Sequence, residues 1–165
     1  MIKRSLRLAA VFLGLGLASA VHADFQPKAE LVADNVYALI GPLGQRSAQN
    51  DGLNANFGFV VGQGGVILID SGASRLGAEK IAKAIRAVTD KPVRWVVNTG
   101  SQDHRWLGNG YFAEQGAETI ALSRTAATQA QYADQHLEGL KRFLEARLEG
   151  TRPLPAQRIL NGDEV

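Results

Sequence analysis

VRWVVNTGSQDHRWLGN, residues 93–109, joins an apolar segment to a polar one near the middle of the chain. The apolar part, Val93–Asn98, has β-branched and aromatic residues and lies between Lys91-Pro92 and Gly100, which predicts a buried strand. The polar part, residues 98–109, predicts a loop, which we call the candidate loop. Ligands are commonly bound where loops leave the carboxyl ends of strands, because backbone groups and short polar side chains converge there. The candidate loop is therefore where we expect the functional site.

The residues upstream of this strand predict a hairpin followed by a βαβ unit. Phe57–Val61 and Val66–Ile69 are apolar runs joined by a glycine-rich turn, which is typical of a hairpin. A helix is predicted over residues 75–89, with Ser74 as its N-cap. Because crossovers between parallel strands are almost always right-handed, we expect Asp70 and the candidate loop at the same edge of the sheet.

The N-terminal part of the domain has weaker signals. Residues 30–33 and 35–40 predict two short strands around an Asp34-Asn35 turn, as an edge meander. Residues 41–54 interrupt all periodicity with glycine, proline, asparagine and glutamine, which predicts a long loop. A loop of this length is typical of either a functional lid or a disordered segment.

The C-terminal part predicts a short helix over residues 107–115, a strand over 119–122 and a long helix from a Ser123 cap to Glu149. The chain ends on a turn and the start of another strand. The long helix is expected to bury one apolar stripe: Ala126, Ala130, Ala133, Leu137, Leu140, Leu144 and Leu148. We expect His136, on the same helix, to be a solvated surface residue.

The candidate loop resembles the signature loop of the metallo-β-lactamase fold superfamily, whose usual pattern is N-T-H-x-H-x-D-H-x-x-G-N. Four positions of the pattern match without gaps: Asn98, Thr99, Gly108 and Asn109. The four metal-binding positions carry other residues: Gly100 and Gln102 replace the first two histidines, His104 the aspartate and Arg105 the last histidine. The loop thus resembles the family in its frame and departs from it at the metal ligands.

A second segment, Ala55–Ser74, resembles the first hairpin of the same family and ends in the aspartate that braces the metal loop, here Asp70. The resemblance runs from about Asn35 to the C-terminus. It implies an α+β fold, the αββα sandwich, with a mixed sheet and covering helices. Family members are typically longer and carry a second β/α half with further ligands, so the chain is expected to correspond to the N-terminal half.

The resemblance implies a zinc-dependent hydrolase of ester, amide or thioester bonds, with a non-standard metal loop. The expected catalytic residues are Asp70, Asp103 and His104, and the last two are also the expected metal ligands. The ligand set does not support zinc, because a zinc hydrolase needs several imidazole or carboxylate ligands around each ion. The alternative is a non-catalytic ligand-binding or accessory protein that keeps the scaffold without the metal. For His104 the alternative is an ordinary loop histidine.

Four further residues of the candidate loop are expected to contact a small-molecule substrate or ligand: Asn98, Ser101, Arg105 and Trp106. Arg105 and Trp106 suit an anionic or planar group, although a tryptophan at the start of a short helix is also typical of core packing. A Ser101-Asp103-His104 triad is disfavoured, because neighbours on one tight loop rarely align nucleophile, base and orienting carboxylate.

Residues 1–23 have the pattern of a secretory signal peptide. Lys3, Arg4 and Arg7 precede a short apolar core, and Val21-His22-Ala23 provides small residues before a cleavage site. Cleavage after Ala20 is the competing position. A membrane anchor is disfavoured because a bilayer span needs roughly 20 apolar residues. We therefore expect a periplasmic or secreted protein whose domain comprises residues 24–165 and which is not bound to a membrane after cleavage.

Composition limits the possible partners. The whole chain has 18 Lys and Arg against 16 Asp and Glu, but three cations lie in the leader, which leaves 15 against 16. No cationic surplus therefore recommends nucleic acid or an anionic membrane as a partner. The chain has no cysteine, so neither a disulfide nor a thiolate ligand is possible. If half of the sandwich is missing, apolar surface should be exposed and the protein should self-associate.

Overall fold

The computed structural model describes residues 25–162, so the leader predicted over residues 1–23 lies outside the described part. Seven strands form one mixed sheet in the order of the chain. They are β1 (Ala29–Ala33), β2 (Val36–Leu39), β3 (Phe57–Val61), β4 (Val66–Ile69), β5 (Val93–Val97), β6 (Glu118–Leu122) and β7 (Arg158–Leu160). The helices are α1 (Arg75–Arg86), α2 (Asp103–Trp106), α3 (Asn109–Glu114) and α4 (Ser123–Leu144), followed by a 3₁₀ turn at Glu145–Leu148. This confirms the α+β class and the mixed sheet.

The direction of each strand pair follows from its connection. Strands β1 to β4 are joined by turns and loops and pair antiparallel. Strands β4 to β7 are joined through helices and pair parallel, as crossover connections require. The carboxyl ends of β4, β5 and β6 therefore lie at one edge of the sheet, which confirms the predicted βαβ unit and the position of the candidate loop.

The main core lies on one face of the sheet. Fully buried side chains of four strands, among them Leu39, Phe59, Leu68 and Val96, pack with apolar residues of α1 and with Phe112 of α3. Burying one such side chain contributes roughly 1.5–3 kcal/mol. Residues of alternate register, such as Ile67 and Val97, point to the opposite face and are only half-buried. The sheet thus has one fully packed face and one apolar face that is partly open.

A second cluster attaches α4 to the candidate loop. It contains Ala73, Trp106, Leu107, Leu140, Leu144 and Leu148. The predicted stripe is wrong at Ala130, which is exposed, whereas Gln129 one residue earlier is fully buried. Ser123 is the first helical residue and not the cap, because Leu122 occupies the N-cap and offers no side-chain acceptor. The helix ends at Leu144, since Glu145 has a left-handed φ of 50°.

Two further helix predictions need correction. Helix α1 has Ser74 as its N-cap, as predicted, but ends at Arg86, and Val88 is 36% exposed beyond it. The helix predicted over residues 107–115 forms as α3, and the short helix α2, which was not predicted, precedes it. The connection between the two contains Gly108, whose amide donates to the Gly72 carbonyl at 2.9 Å. A Cβ there would lie 2.0 Å from the Ser71 carbonyl oxygen, so this close approach of two backbones requires glycine.

The long loop over residues 41–54 is packed against the domain, which contradicts the disordered alternative predicted for it. Asp51 and Leu53 are fully buried. The Asp51 carboxylate pairs with Lys80 of α1 and accepts from Arg147 Nη1 at 3.0 Å. A buried carboxylate with two cationic donors fixes the loop, because the pairing offsets the cost of removing its charge from water.

Within residues 25–162, none of the helices combines the length and apolar character needed to cross a bilayer.

Candidate functional site

Asp70 lies at the carboxyl end of β4 and is bonded to the candidate loop. Its Oδ1 accepts the Thr99 amide at 2.8 Å, and its Oδ2 accepts the Thr99 hydroxyl at 2.7 Å. Arg105 Nη1 donates to the same Oδ2 at 3.0 Å. Asp70 is 5% exposed and has a φ of 62°, a region that few residues other than glycine adopt. The predicted proximity of Asp70 to the loop is confirmed, with Asp70 bracing the loop by direct hydrogen bonds.

A buried amide network holds both ends of the candidate loop. Asn109 Nδ2 donates to Asn98 Oδ1 at 2.7 Å, and Asn98 Nδ2 returns a hydrogen bond to Asn109 Oδ1 at 3.0 Å. Asn109 Oδ1 also accepts the Ser71 hydroxyl at 2.9 Å. Gln129 of α4 donates to Asn98 Oδ1 at 3.3 Å and accepts the Ala156 amide at 3.0 Å. These side chains satisfy one another, and Asn98, predicted to contact a ligand, is 4% exposed and holds the loop.

Arg105 is the cation nearest the Asp70 carboxylate. Its guanidinium donates from Nη1 to both Asp70 and Thr99, and its side chain remains 35% exposed. Its Nε is buried and has no hydrogen-bond partner among the described residues. A guanidinium has five N–H donors and stays protonated in proteins. Arg105 therefore neutralises Asp70 and retains donors that the surrounding chain does not use.

Asp103 and His104 lie together at the start of α2, where Asp103 belongs to a different ion pair. Arg46 of the long loop pairs with the Asp103 carboxylate. The Asp103 Oδ1 also accepts the His104 amide at 2.7 Å and lies 3.2 Å from His104 Nδ1. Burial raises the pKa of Asp103, but the hydrogen bonds from His104 and the charge of Arg46 outweigh it and lower the pKa to about 2. Asp103 is therefore ionised and paired at neutral pH.

These residues do not fit a zinc ion. Within residues 25–162, no group of three or more His, Cys, Asp or Glu side chains is placed to hold a metal. The one imidazole of the loop stands beside a carboxylate that Arg46 already pairs. The other carboxylate, Asp70, is paired with Arg105. Zinc sites in proteins use three or four ligands, and this loop offers fewer.

Two predictions about aromatic and imidazole side chains are wrong. Trp106 was expected to contact substrate, but it is fully buried in the second cluster and donates from Nε1 to the Ser101 carbonyl at 3.0 Å. His136 was expected to be solvated, but it is half-buried: its Nδ1 has no hydrogen-bond partner among the described residues, and its ring lies 6.0 Å from that of Trp106. Both errors come from the packing of α4 against the candidate loop.

An open cleft of about 420 Å³ separates the candidate loop from the start of α4. Residues 99–102 and Arg105 form one wall, and Arg124, Thr125 and Thr128 form the other. Ser101 thus lines a cavity, as expected of a ligand-contacting residue, and so does Arg105. The residues of α4 were not predicted. Their signal was present, since α4 follows β6 directly at the same edge of the parallel sheet.

Comparison with known proteins identifies the fold. No protein-family model and no curated protein matches the chain. The metallo-β-lactamase FIM-1 from Pseudomonas aeruginosa, solved in a mono-zinc form, is 19% identical with a TM-score of 0.61, over 86% of this chain and 54% of that one. A metallo-β-lactamase from Hirschia baltica is 16% identical with a TM-score of 0.60, over 86% and 55%. The DIM-1 metallo-β-lactamase exposed to ceftazidime is 19% identical with a TM-score of 0.57 over the same shares.

The match extends over most of this chain, which spans about half the length of these solved structures. At this level of sequence identity the match establishes architecture, and the ligand positions must be judged from the residues themselves. The chain has the metallo-β-lactamase fold.

Proposed function

We propose that this chain is a non-catalytic ligand-binding protein built on a hydrolase scaffold, in which an internal ion pair takes the place of a metal. One observation carries the proposal. Arg105, at the position of the last histidine of the family pattern, donates to the buried Asp70 carboxylate. The carboxylate that braces the loop is thus neutralised by a side chain of the loop itself.

The chemistry of Arg105 supports binding over hydrolysis. A guanidinium has no lone pair to coordinate a metal, and it cannot act as a general base because it stays protonated. Its fixed positive charge also opposes a divalent cation placed close to it. Metal-dependent hydrolysis of an ester, amide or thioester, which the resemblance implies, needs a metal-held water. This loop supplies one imidazole toward such a site, so a small-molecule ligand is proposed in place of a substrate.

We also propose that the protein acts in the periplasm or as a secreted protein. The support is the leader pattern of residues 1–23 and the near-neutral charge of the remainder. N-terminal sequencing of protein recovered from the periplasmic fraction should begin at Asp24. Periplasmic protein that retains Met1 would contradict this proposal.

Zinc content tests the proposed function. The unaltered protein, incubated with zinc and dialysed, should retain far less than one zinc per molecule. A variant carrying Gly100→His, Gln102→His, His104→Asp and Arg105→His should retain about one, because it restores three imidazoles and a carboxylate on one loop. The nearest neighbours of a Cβ at Gly100 are the Gln102 and Arg105 side chains, which the same variant replaces. Elemental analysis provides the measurement.

A matched control excludes adventitious binding by added imidazoles. Gln63→His and Gln115→His place histidines at two exposed turns outside the site, and this variant should retain no additional zinc. One zinc per molecule in the unaltered protein would overturn the proposed function. In that case His104 and Asp103 would belong to a metal site, and the hydrolase would be the better hypothesis.

A further inference from the structure

We propose that the cleft between the candidate loop and α4 binds a small molecule through an oxyanion group, a carboxylate or a phosphate. This inference rests on the proposed function, because it names the class of ligand that the metal-free loop binds. Two arginines line this cleft, Arg105 from the candidate loop and Arg124 from α4. Guanidinium groups are the side chains best matched to the planar geometry of a carboxylate or to the oxygens of a phosphate.

The charge within the cleft favours an anion. None of the described residues that line it is acidic. Asp70 lies beneath Arg105 and compensates that charge from a buried position. Arg124 is exposed, and no ion pair joins it to another residue between 25 and 162. One full positive charge is therefore available to a ligand, together with the unused donors of Arg105.

Arg105 can bind a ligand as well as neutralise Asp70, because not all of its N–H donors are used within the described part of the chain. Its Nη1 donates to Asp70 and Thr99 and its Nε is buried, so Nη2, which has no hydrogen-bond partner within the described part of the chain, is the nitrogen left for a ligand. The ion pair with Asp70 fixes the side chain, so little conformational entropy is lost when a ligand binds. Arg105 is thus pre-organised as one side of an anion clamp, and Arg124 provides the other.

Hydroxyl and backbone donors complete the cleft. Ser101, Thr125 and Thr128 contribute hydroxyl groups to the lining. Helix α4 has 22 residues, and its N-cap residue, Leu122, makes no side-chain hydrogen bond to its first turn. The first amides of a long helix carry a partial positive charge that stabilises anions. In this site they add to a charge that the two arginines already establish.

Titration with simple oxyanions tests the inference. Inorganic phosphate, sulfate and succinate should each be added to the zinc-free protein at constant ionic strength, with chloride as the reference anion, and binding followed by amide NMR shifts. At least one of the three should bind saturably and shift the amides of residues 99–102 and of the first turn of α4. Arg124→Gln should increase the dissociation constant of the anion about tenfold, and Arg124→Lys should increase it less.

The control is Arg142→Gln, which removes an exposed arginine at the far end of the same helix. It should leave the dissociation constant unchanged. If Arg124→Gln and Arg142→Gln increase the dissociation constant equally, only net charge matters, and the inference is overturned. Absence of saturable binding for all three anions in the zinc-free protein would also overturn it.

The two proposals fail in different ways. If the unaltered protein retains stoichiometric zinc and a chelator abolishes anion binding, the proposed function is wrong. If the protein is zinc-free and the anions do not bind, the proposed function stands and the anion site is wrong. The order of the dissociation constants shows whether the site prefers a carboxylate or a phosphate.

Discussion

Replacing Asp103 by asparagine should destabilise the protein by roughly 2 kcal/mol at pH 7. Asp103 joins two loops, because it pairs with Arg46 of the long loop and lies within the candidate loop. Its pKa is about 2 in the folded protein, against an ordinary value of 3.8. At about 1.36 kcal/mol for each pH unit, this depression stabilises the folded state by roughly 2 kcal/mol when the carboxylate is ionised. Asparagine keeps the shape of the side chain and removes that charge.

The pH dependence has a definite sign. A carboxylate whose pKa is depressed by folding contributes its full stabilisation above the unfolded value of 3.8, and loses it as the pH falls toward the folded value of about 2. The difference in unfolding free energy between the two proteins should therefore be constant above about pH 5. It should shrink steadily between about pH 4 and pH 2.

Urea unfolding followed by tryptophan fluorescence measures this difference at pH 7, 4 and 2.5. The matched control is Asp134→Asn, which removes an exposed carboxylate of α4 and should change stability by less than about 0.5 kcal/mol. A double-mutant cycle with Arg46→Gln should show a favourable coupling energy between the two residues. If Asp103→Asn is as stable as the unaltered protein at every pH, Asp103 does not join the loops, and its assignment as a catalytic residue regains support.

Two other perturbations address the backbone of the candidate loop and the exposed edge strand of the sheet. Gly108→Ala should prevent cooperative folding, measured by calorimetry, because its Cβ would lie 2.0 Å from the Ser71 carbonyl oxygen. The control is Gly139→Ala inside α4, whose Cβ meets nothing within 4 Å and which should not destabilise the protein. Light scattering and dye binding should show self-association of residues 24–165, since Leu31 and Val32 of the edge strand are each 66% exposed. Leu31→Lys should reduce it, and a monomeric, dye-silent unaltered protein would contradict this expectation.

The predicted frame of the fold follows from short-range patterns that tertiary context did not override. The apolar runs of β3, β4 and β5 are each bounded by turn residues, and all three strands form where predicted. The approach of Asp70 to Thr99 follows from the parallel pairing of β4 and β5, which places their carboxyl ends side by side. Such features depend on residues close in sequence, or on a topological rule that leaves few alternatives.

The errors involve contacts between residues far apart in the chain. Arg46 reaches Asp103 across 57 positions from a loop without periodicity, so nothing local indicates the pair. Gln129 is buried because its side-chain amide donates to Asn98 and accepts the Ala156 amide. The apolar pattern of the helix does not indicate these hydrogen bonds. Trp106 is likewise buried, and His136 half-buried, where α4 docks on the candidate loop, at a position that the sequence does not specify.

The residues that match the family pattern are those that hold the loop backbone, which explains how the fold can persist without the metal ligands. Asn98 and Asn109 bond to each other, Asn109 accepts the Ser71 hydroxyl, and Thr99 bonds to Asp70, all without a metal. A metal loop without its metal would leave Asp70 as a buried charge with no cation, which is costly. Arg105 supplies that cation from within the loop. Frame positions therefore predict the fold, whereas the substituted ligand positions decide what the loop can bind, and here they favour an anion.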